Sequence, residues 1–249
     1  SQNISEFGTN FMEQIFGFSI LSLFITGILL LPFIDFLYKI KLQKQNSHHL
    51  DVFNKNIRLL DKLSAWKVGT PFGGGLLVIL VVTLLSLWTY GLLGVDVKFW
   101  ELFVLLFTFI GFGALGLYDD LRKIFNARSG VFGLKLIHKF AIQWILALII
   151  GAVMYFQLGY SFVYVHWLGE IPLGIIYIFF AAFVIVSFTN AVNLSDGLDG
   201  LATGLLVICL FAFLAISGST LDRFLSLFIA ILLGSTLAFL YFNIYKARL

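Results

Sequence analysis

Residues 172–218 read PLGIIYIFFAAFVIVSFTNAVNLSDGLDGLATGLLVICLFAFLAISG, two long apolar runs joined by a short polar segment. The first run, 172–193, and the second, 201–218, each approach the ~20 apolar residues that a helix needs to cross a bilayer. Between them lies Asn190-Ala-Val-Asn193-Leu-Ser-Asp196-Gly-Leu-Asp199-Gly-Leu-Ala202, with a polar side chain at every third position. Two membrane spans with an amide- and carboxylate-rich junction are the expected local structure.

Five more apolar runs flank this pair, at 16–38, 73–94, 99–118, 137–158 and 224–243. The 249 residues are 60% hydrophobic and 12% charged, with a mean hydropathy of +1.01. Soluble domains carry about 25% charged residues, so packing in water could not hide this much hydrocarbon. The expected fold is an all-α polytopic membrane protein, a single transmembrane domain over 1–249. No soluble domain fits between the spans, and the longest connection, 39–72, is a basic loop. The lone Cys209 sits inside an apolar run and reads as a small hydrophobe, which excludes a disulfide framework or thiol metal site. Ser1–Gln14 contains no Lys or Arg and lacks the basic start of a secretory signal.

Charge placement orients the spans. Loop 39–72 holds Lys39, Lys41, Lys44, Lys55, Arg58, Lys62 and Lys67, and loop 119–139 holds Arg122, Lys123, Arg128, Lys135 and Lys139. With Lys246 and Arg248, 14 of the 16 basic residues share one side, leaving Lys98 and Arg223 opposite. The positive-inside rule makes the basic side cytoplasmic and the N-terminus external. Outside, residues 160–172 alternate around Gly169-Glu170 and fit a small extracytoplasmic β-hairpin. Tyr160, Tyr164 and Trp167 there suit the membrane interface; His166 reads as interfacial, and His48 and His49 as solvated loop residues.

Acidic groups near membrane depth are costly and by default point to function. Asp119 and Asp120 stand where the third span reaches the cytoplasm. Adjacent carboxylates repel, and a nearby cation relieves the repulsion. Lys123, four residues from Asp119, can pair with it on a helix. The Asn190–Asp199 segment fans its polar groups over half a helix circumference, and Gly197 and Gly200 loosen the turn so that they converge. It carries no cation of its own, so Lys123 and Lys135 of the second basic loop are the candidate donors. A third segment, Lys67-Val-Gly-Thr70-Pro-Phe-Gly-Gly-Gly75, opens a span with glycines whose free N–H groups suit an anion. All three segments fall on the cytoplasmic side. Carboxylates, lysines and a Gly-rich helix start at a membrane surface suit phosphoryl transfer, where positioning and charge neutralisation do most of the work. The residues by themselves leave two readings open, a cytoplasm-facing enzyme of a lipid phosphate and an acid-gated transporter; a bare scaffold leaves the Asn-Asp run unexplained.

Asp119-Asp120-x-x-Lys123, Asn190–Ala202 and Lys67-x-Gly-Thr-Pro-x-x-Gly-Gly together resemble the MraY family, the phospho-N-acetylmuramoyl-pentapeptide transferases. These belong to the polyprenyl-phosphate N-acetylhexosamine-1-phosphate transferases, and the resemblance runs along essentially the whole chain. It implies that undecaprenyl phosphate attacks UDP-N-acetylmuramoyl-pentapeptide, giving lipid I and UMP with Mg²⁺, at the bacterial inner membrane during peptidoglycan synthesis. Carried over position by position, Asp119, Asp120, Asp196 and Lys123 are the implied catalytic residues, and the three aspartates the implied metal ligands. Substrate would meet Lys67, Thr70, Lys135, Asn190, Asn193, Gly197, Leu198 and Asp199. The expected mechanism is direct attack with Asp119 positioning or deprotonating the lipid phosphate; a covalent aspartyl-phosphate is the alternative. A homodimer is implied, and no nucleic-acid partner is expected. The alternative functions are transfer from UDP-N-acetylglucosamine and ion-coupled transport. Two departures stand out. Phe72 occupies a position where the family has a threonine. The family also continues past the equivalent of Leu249 into a Met-Gly-Asp-x-Gly-Ser-Leu motif carrying its main Mg²⁺ ligand. The chain thus reads as seven spans of a roughly ten-helix fold.

Overall fold

The structure, a computed structural model, describes residues 2–40, 69–95, 97–127 and 136–244. Its elements are α1 (Gln2–Lys39), α2 (Gly74–Leu93), α3 (Phe99–Ala127), α4 (Leu136–Phe156), β1 (Phe162–Val165), β2 (Gly169–Pro172), α5 (Ile176–Ser195), α6 (Leu201–Ser219) and α7 (Arg223–Asn243). All seven helices are long and apolar enough to cross a membrane, as the runs predict. Three boundaries differ from the sequence reading. The first helix begins near the N-terminus, at Gln2. The third continues past Asp119 and Asp120 to Ala127, so the acidic pair lies on a helix body and not at its end. The fifth starts at Ile176 because 169–172 are spent on β2.

The hairpin forms where alternation predicts it. Antiparallel β1 and β2 pair Phe162 with Pro172 and Tyr164 with Glu170, and the tip residue Trp167 is 90% exposed. The hairpin marks one end of the bundle; the junctions α3–α4 and α5–α6 mark the other, the basic-loop end.

Helix α7 is the hub and packs against α1, α2 and α6. In a bilayer, helices gain little from apolar burial against one another, so close approach and interhelical hydrogen bonds matter more. The α1–α7 seam uses both. A Cβ placed on Gly234 would strike the backbone carbonyl of Ser19. Ser22 Oγ donates to Ile231 O at 2.6 Å, and the Thr26 and Ser235 hydroxyls lie 2.8 Å apart. Val82, Leu227 and Ile231 fill the α2–α7 contact. A second tight pair is α4–α5, where a Cβ on Gly151 would lie 2.7 Å from Ile178 O and Ala147, Ala182 and Val186 form the core. Helix α3 bridges the two groups by packing on α2 and α4.

Candidate active site

Helix α4 opens with Lys139 and Gln143, one turn apart and therefore on one face. That face looks onto α3 and α5 at the basic-loop end. Lys139 Nζ donates to Asp119 Oδ2 at 3.1 Å and to Asn193 Oδ1 at 3.3 Å. Asp119 is only 6% exposed, and a carboxylate so withdrawn from water needs a charged partner. A single ammonium thus ties three helices together.

One turn deeper, Asn190 Nδ2 donates to Gln143 Oε1 at 3.0 Å and to Val186 O at 2.8 Å. Both amide hydrogens of Asn190 are engaged. Gln143 is 2% exposed, so this clasp satisfies a polar group where hydrocarbon surrounds it. Above the clasp lies a cleft of about 350 Å³, with Lys139, Gln143, Asn193 and Asp196 on its polar side and Phe112, Leu206 and Phe239 among its apolar walls.

The far wall is fixed from α7. Asn243 Oδ1 accepts from Gly200 N at 2.9 Å and from Thr203 Oγ1 at 3.5 Å. Gly200 starts α6 with φ 72, a left-handed geometry that favours glycine. A Cβ placed on Gly200 would lie 3.6–3.7 Å from the Leu240 side chain and the Asn243–Ile244 backbone. The Asn-Asp junction is therefore clipped to the hub of the bundle.

Several expected residues converge and others do not. Asp119, Asn193 and Asp196 meet around Lys139 and its cleft. Asn190 sits beneath the cleft in the amide clasp and does not line it. Asp199, Gly197 and Leu198 occupy the turn between α5 and α6, outside the cleft lining; Leu198 is 54% exposed. Thr70 precedes α2 and is half-buried. Lys67 and Lys135 lie outside the described residues. Lys123 lies on α3, and its expected pairing with Asp119 falls outside the described side chains.

Asp120 departs from the expectation of a joint site with Asp119. Neighbouring helical residues point about 100° apart, and Asp120 lines a separate cleft of about 140 Å³ with Phe33, Leu37, Phe72, Gly73 and Leu117. Phe72, the departure from the family pattern, therefore faces that apolar cleft and not the Lys139 cleft. The Gly-rich start of α2, with Gly73 as its left-handed N-cap, shares this second cleft with a carboxylate of the chain itself. A helix N-terminus favours such a negative charge.

Sequence reading missed Lys139 as a site residue, together with Gln143 and Asn243. The available signal was Lys139-x-x-x-Gln143 at the entrance of an otherwise apolar span, since an amide inside a span is costly unless used. For a metal ion, among the described residues no group of three His, Cys, Asp or Glu side chains gathers. Asp119, Asp120 and Asp196 do not form a dedicated cage. Asp119 and Asp196 do reach the same Lys139–Asn193 neighbourhood, which fits the Mg²⁺ habit of using one or two carboxylates plus substrate phosphates.

Residues 102–249 match the profile of glycosyl transferase family 4. The chain is 33% identical over 246 residues to the phospho-N-acetylmuramoyl-pentapeptide-transferase of Limosilactobacillus fermentum, covering 94% of this chain and 67% of that protein. It is 32% identical over 244 residues to the protein of that name from Bacillus pumilus, covering 95% and 69%. With the one from Heliobacterium modesticaldum the identity is 37% over 185 residues, covering 74% and 55%. The chain thus spans about half to two thirds of the length of these relatives.

Proposed function

Because this chain belongs to glycosyl transferase family 4, we propose that it transfers phospho-N-acetylmuramoyl-pentapeptide from its UDP-linked donor to undecaprenyl phosphate. The products are lipid I and UMP, and the site faces the cytoplasm from a bacterial inner membrane. The name shared by its relatives supports the substrate pair, and the excess of basic residues at the site end supports the orientation.

The observation that carries the reading is Lys139 held between Asp119 and Asn193 at the edge of a cleft at the end of the bundle. An ammonium has three hydrogens; two are met by Asp119 and Asn193, leaving one for a phosphate oxygen. A lysine fixed from two sides is an ordered phosphate anchor, and such positioning is most of what phosphoryl transfer asks of a protein. In the proposed step an oxygen of the lipid phosphate bonds to the sugar-linked phosphorus. The bond from that phosphorus to the bridging oxygen breaks, and UMP leaves with the bridging oxygen and its electron pair. The lipid phosphate has a second pKa near ~6 and is mostly dianionic at pH 7. A strong base is then unnecessary, and Asp119 acts chiefly by orienting Lys139.

Lys139 stands beside Asp119 and lines the cleft with Asp196. Mg²⁺, if held by those carboxylates, would supply positive charge to the substrate phosphates. A transporter reading fits less well. Ion relays place carboxylates along the depth of a bundle, whereas Asp35 and Asp222 lie near or beyond helix ends.

The test is UMP release by the purified protein given both substrates, with and without chelator. Release should need both substrates and a divalent cation. Asp119→Asn should lower kcat by about 10-fold to 10²-fold, no more than loss of the lysine donor it orients, while nucleotide affinity stays within about threefold. Undiminished turnover in this variant would sink the assignment. Recovery of phosphorylated protein from a reaction lacking lipid acceptor would replace direct attack with the covalent route.

A further inference from the structure

The carboxamide of Gln143 has one of its two polar atoms met and the other open. Its Oε1 accepts from Asn190 Nδ2 at 3.0 Å, while among the described residues no group accepts from its two Nε2 hydrogens. The backbone dictates this orientation. Val186 O can only accept, so the Asn190 atom 2.8 Å from it is the nitrogen. That nitrogen reaches Gln143 with its other hydrogen, so the Gln143 atom facing it is the oxygen. The Gln143 nitrogen is the atom left over. Gln143 is 2% exposed and lines the Lys139 cleft, so the cleft is where these hydrogens find an acceptor.

On the phosphoryl-transfer reading of this cleft, on which the assignment rests, we infer that Gln143 contacts substrate. Its Nε2 hydrogens donate to an oxygen of the lipid phosphate, and Asn190 is the positioning residue that aims them. A buried donor without an acceptor is destabilising. Here a second amide is spent on holding the first in that state, which marks a ligand's place. Lys139 and Gln143 share one face of α4, so a phosphate between them meets an ammonium on one side and a carboxamide on the other.

Depth selects the lipid phosphate over the donor diphosphate. Helix α4 begins at the basic-loop end with Leu136, so Gln143 lies deeper in the bundle than Lys139, by about 6 Å along the helix. The charged groups stand at the outer level: Asp119 pairs with Lys139, and Asp196 caps the loop end of α5. A soluble nucleotide arrives there first. A phosphate carried on a lipid comes from the bilayer side, along the apolar walls Phe112, Leu206 and Phe239, and passes the level of Gln143. A neutral donor suits that level, because a second ammonium would need a carboxylate of its own to be stable at membrane depth.

The experiment is binding of undecaprenyl phosphate and of undecaprenol to the purified protein, read by native mass spectrometry beside calorimetric binding of UDP. The unaltered protein should prefer the phosphate lipid. Gln143→Met should cut that preference by about tenfold, the scale of one hydrogen bond to a charged group, with UDP affinity nearly unchanged. Gln143→Met also takes the acceptor from Asn190, so the double variant Gln143→Met with Asn190→Leu is the control. Removing both partners leaves no orphaned group; its thermal midpoint should return close to that of the unaltered protein while the preference stays low. Asn190→Leu alone keeps the donors but not their aim, and should lose an intermediate share of the preference. A double variant that regains preference together with stability would reduce the clasp to packing and overturn the inference. Equal binding of the two lipids by the unaltered protein, or a loss confined to UDP, would also overturn it. Absence of UMP release from a protein that shows these preferences would instead sink the transfer reading and leave the lipid-phosphate contact standing.

Discussion

The α1–α7 seam and the basic-loop end of α3, α4 and α5 are built from similar short polar side chains and use them in opposite ways. Along the seam, Ser22, Thr26 and Ser235 close their hydroxyls on each other or on a backbone carbonyl, and each is fully buried. The span of α7 is 61% buried, that of α3 only 6%. At the basic-loop end, Asn193 and Asp196 remain exposed beside a cleft, and Asn193 is bonded to a partly exposed lysine. The difference teaches how to tell packing polarity from chemical polarity in a membrane protein. Where every donor is spent between two helices, the group serves association. Where an ion pair keeps a donor over open space, it serves a ligand.

The comparison is broken most severely at Gly234. Any side chain there meets the Ser19 carbonyl, and backbone gives way less readily than a rotamer. Gly234→Leu should cost about 3 kcal/mol or more, lowering the thermal midpoint by about 10 °C and reducing the folded yield. Gly17 on α1 has open space around its Cβ direction, so Gly17→Leu should leave the midpoint nearly unchanged. Equal midpoints for the two variants would mean the seam is looser than its geometry.

Lys139 sharpens the other half. Lys139→Met should lower kcat/KM by about 10²-fold, as loss of one charge-stabilising donor does. It also takes from buried Asp119 the ammonium 3.1 Å away, and removing one partner of a buried pair is more damaging than removing both. The double variant Lys139→Met with Asp119→Asn should therefore regain thermal stability relative to Lys139→Met alone, with no return of activity. A double variant as unstable as the single one would show that Asp119 is adequately held by other groups.

The division between these regions also explains what the sequence made legible. Span positions follow from hydrocarbon length, which is a local property, and the runs at 73–94, 201–218 and 224–243 match α2, α6 and α7 within a residue or two. The hairpin was legible for the same reason. The convergence of Asp119, Asn193 and Asp196 was legible because their spacing is peculiar even without a fold. Lys139 was not, because its importance depends on how α4 rotates against α3 and α5, a tertiary fact that Lys123 and Lys135 concealed by being equally basic. Asp120 was read together with Asp119 because the two are adjacent in sequence, whereas the helix continues through both and turns Asp120 to the Phe72 cleft and Asp119 to Lys139. Asn243 was overlooked because its contact with Gly200 spans 43 residues, and nothing local signals it.

The smallest expected effect lies in the seam's hydrogen bonds. Thr26 and Ser235 lie 2.8 Å apart with no solvent access, and in water-excluding surroundings such a bond looks strong. The unfolded reference in a bilayer also finds partners for its hydroxyls, so measured interhelical bonds average about 0.6 kcal/mol. Thr26→Val keeps the shape and removes the donor, and together with Ser235→Ala it closes a double-mutant cycle. The coupling should come out near that average, with activity unaffected in all three variants because neither residue approaches the Lys139 cleft. Coupling well above about 1.7 kcal/mol, the upper end for such pairs, would mean that hydrogen bonds and not the Gly234 contact hold α1 to the hub. A fall in activity at unchanged stability would mean that the seam transmits strain to α7's far end, where Asn243 clips the active junction.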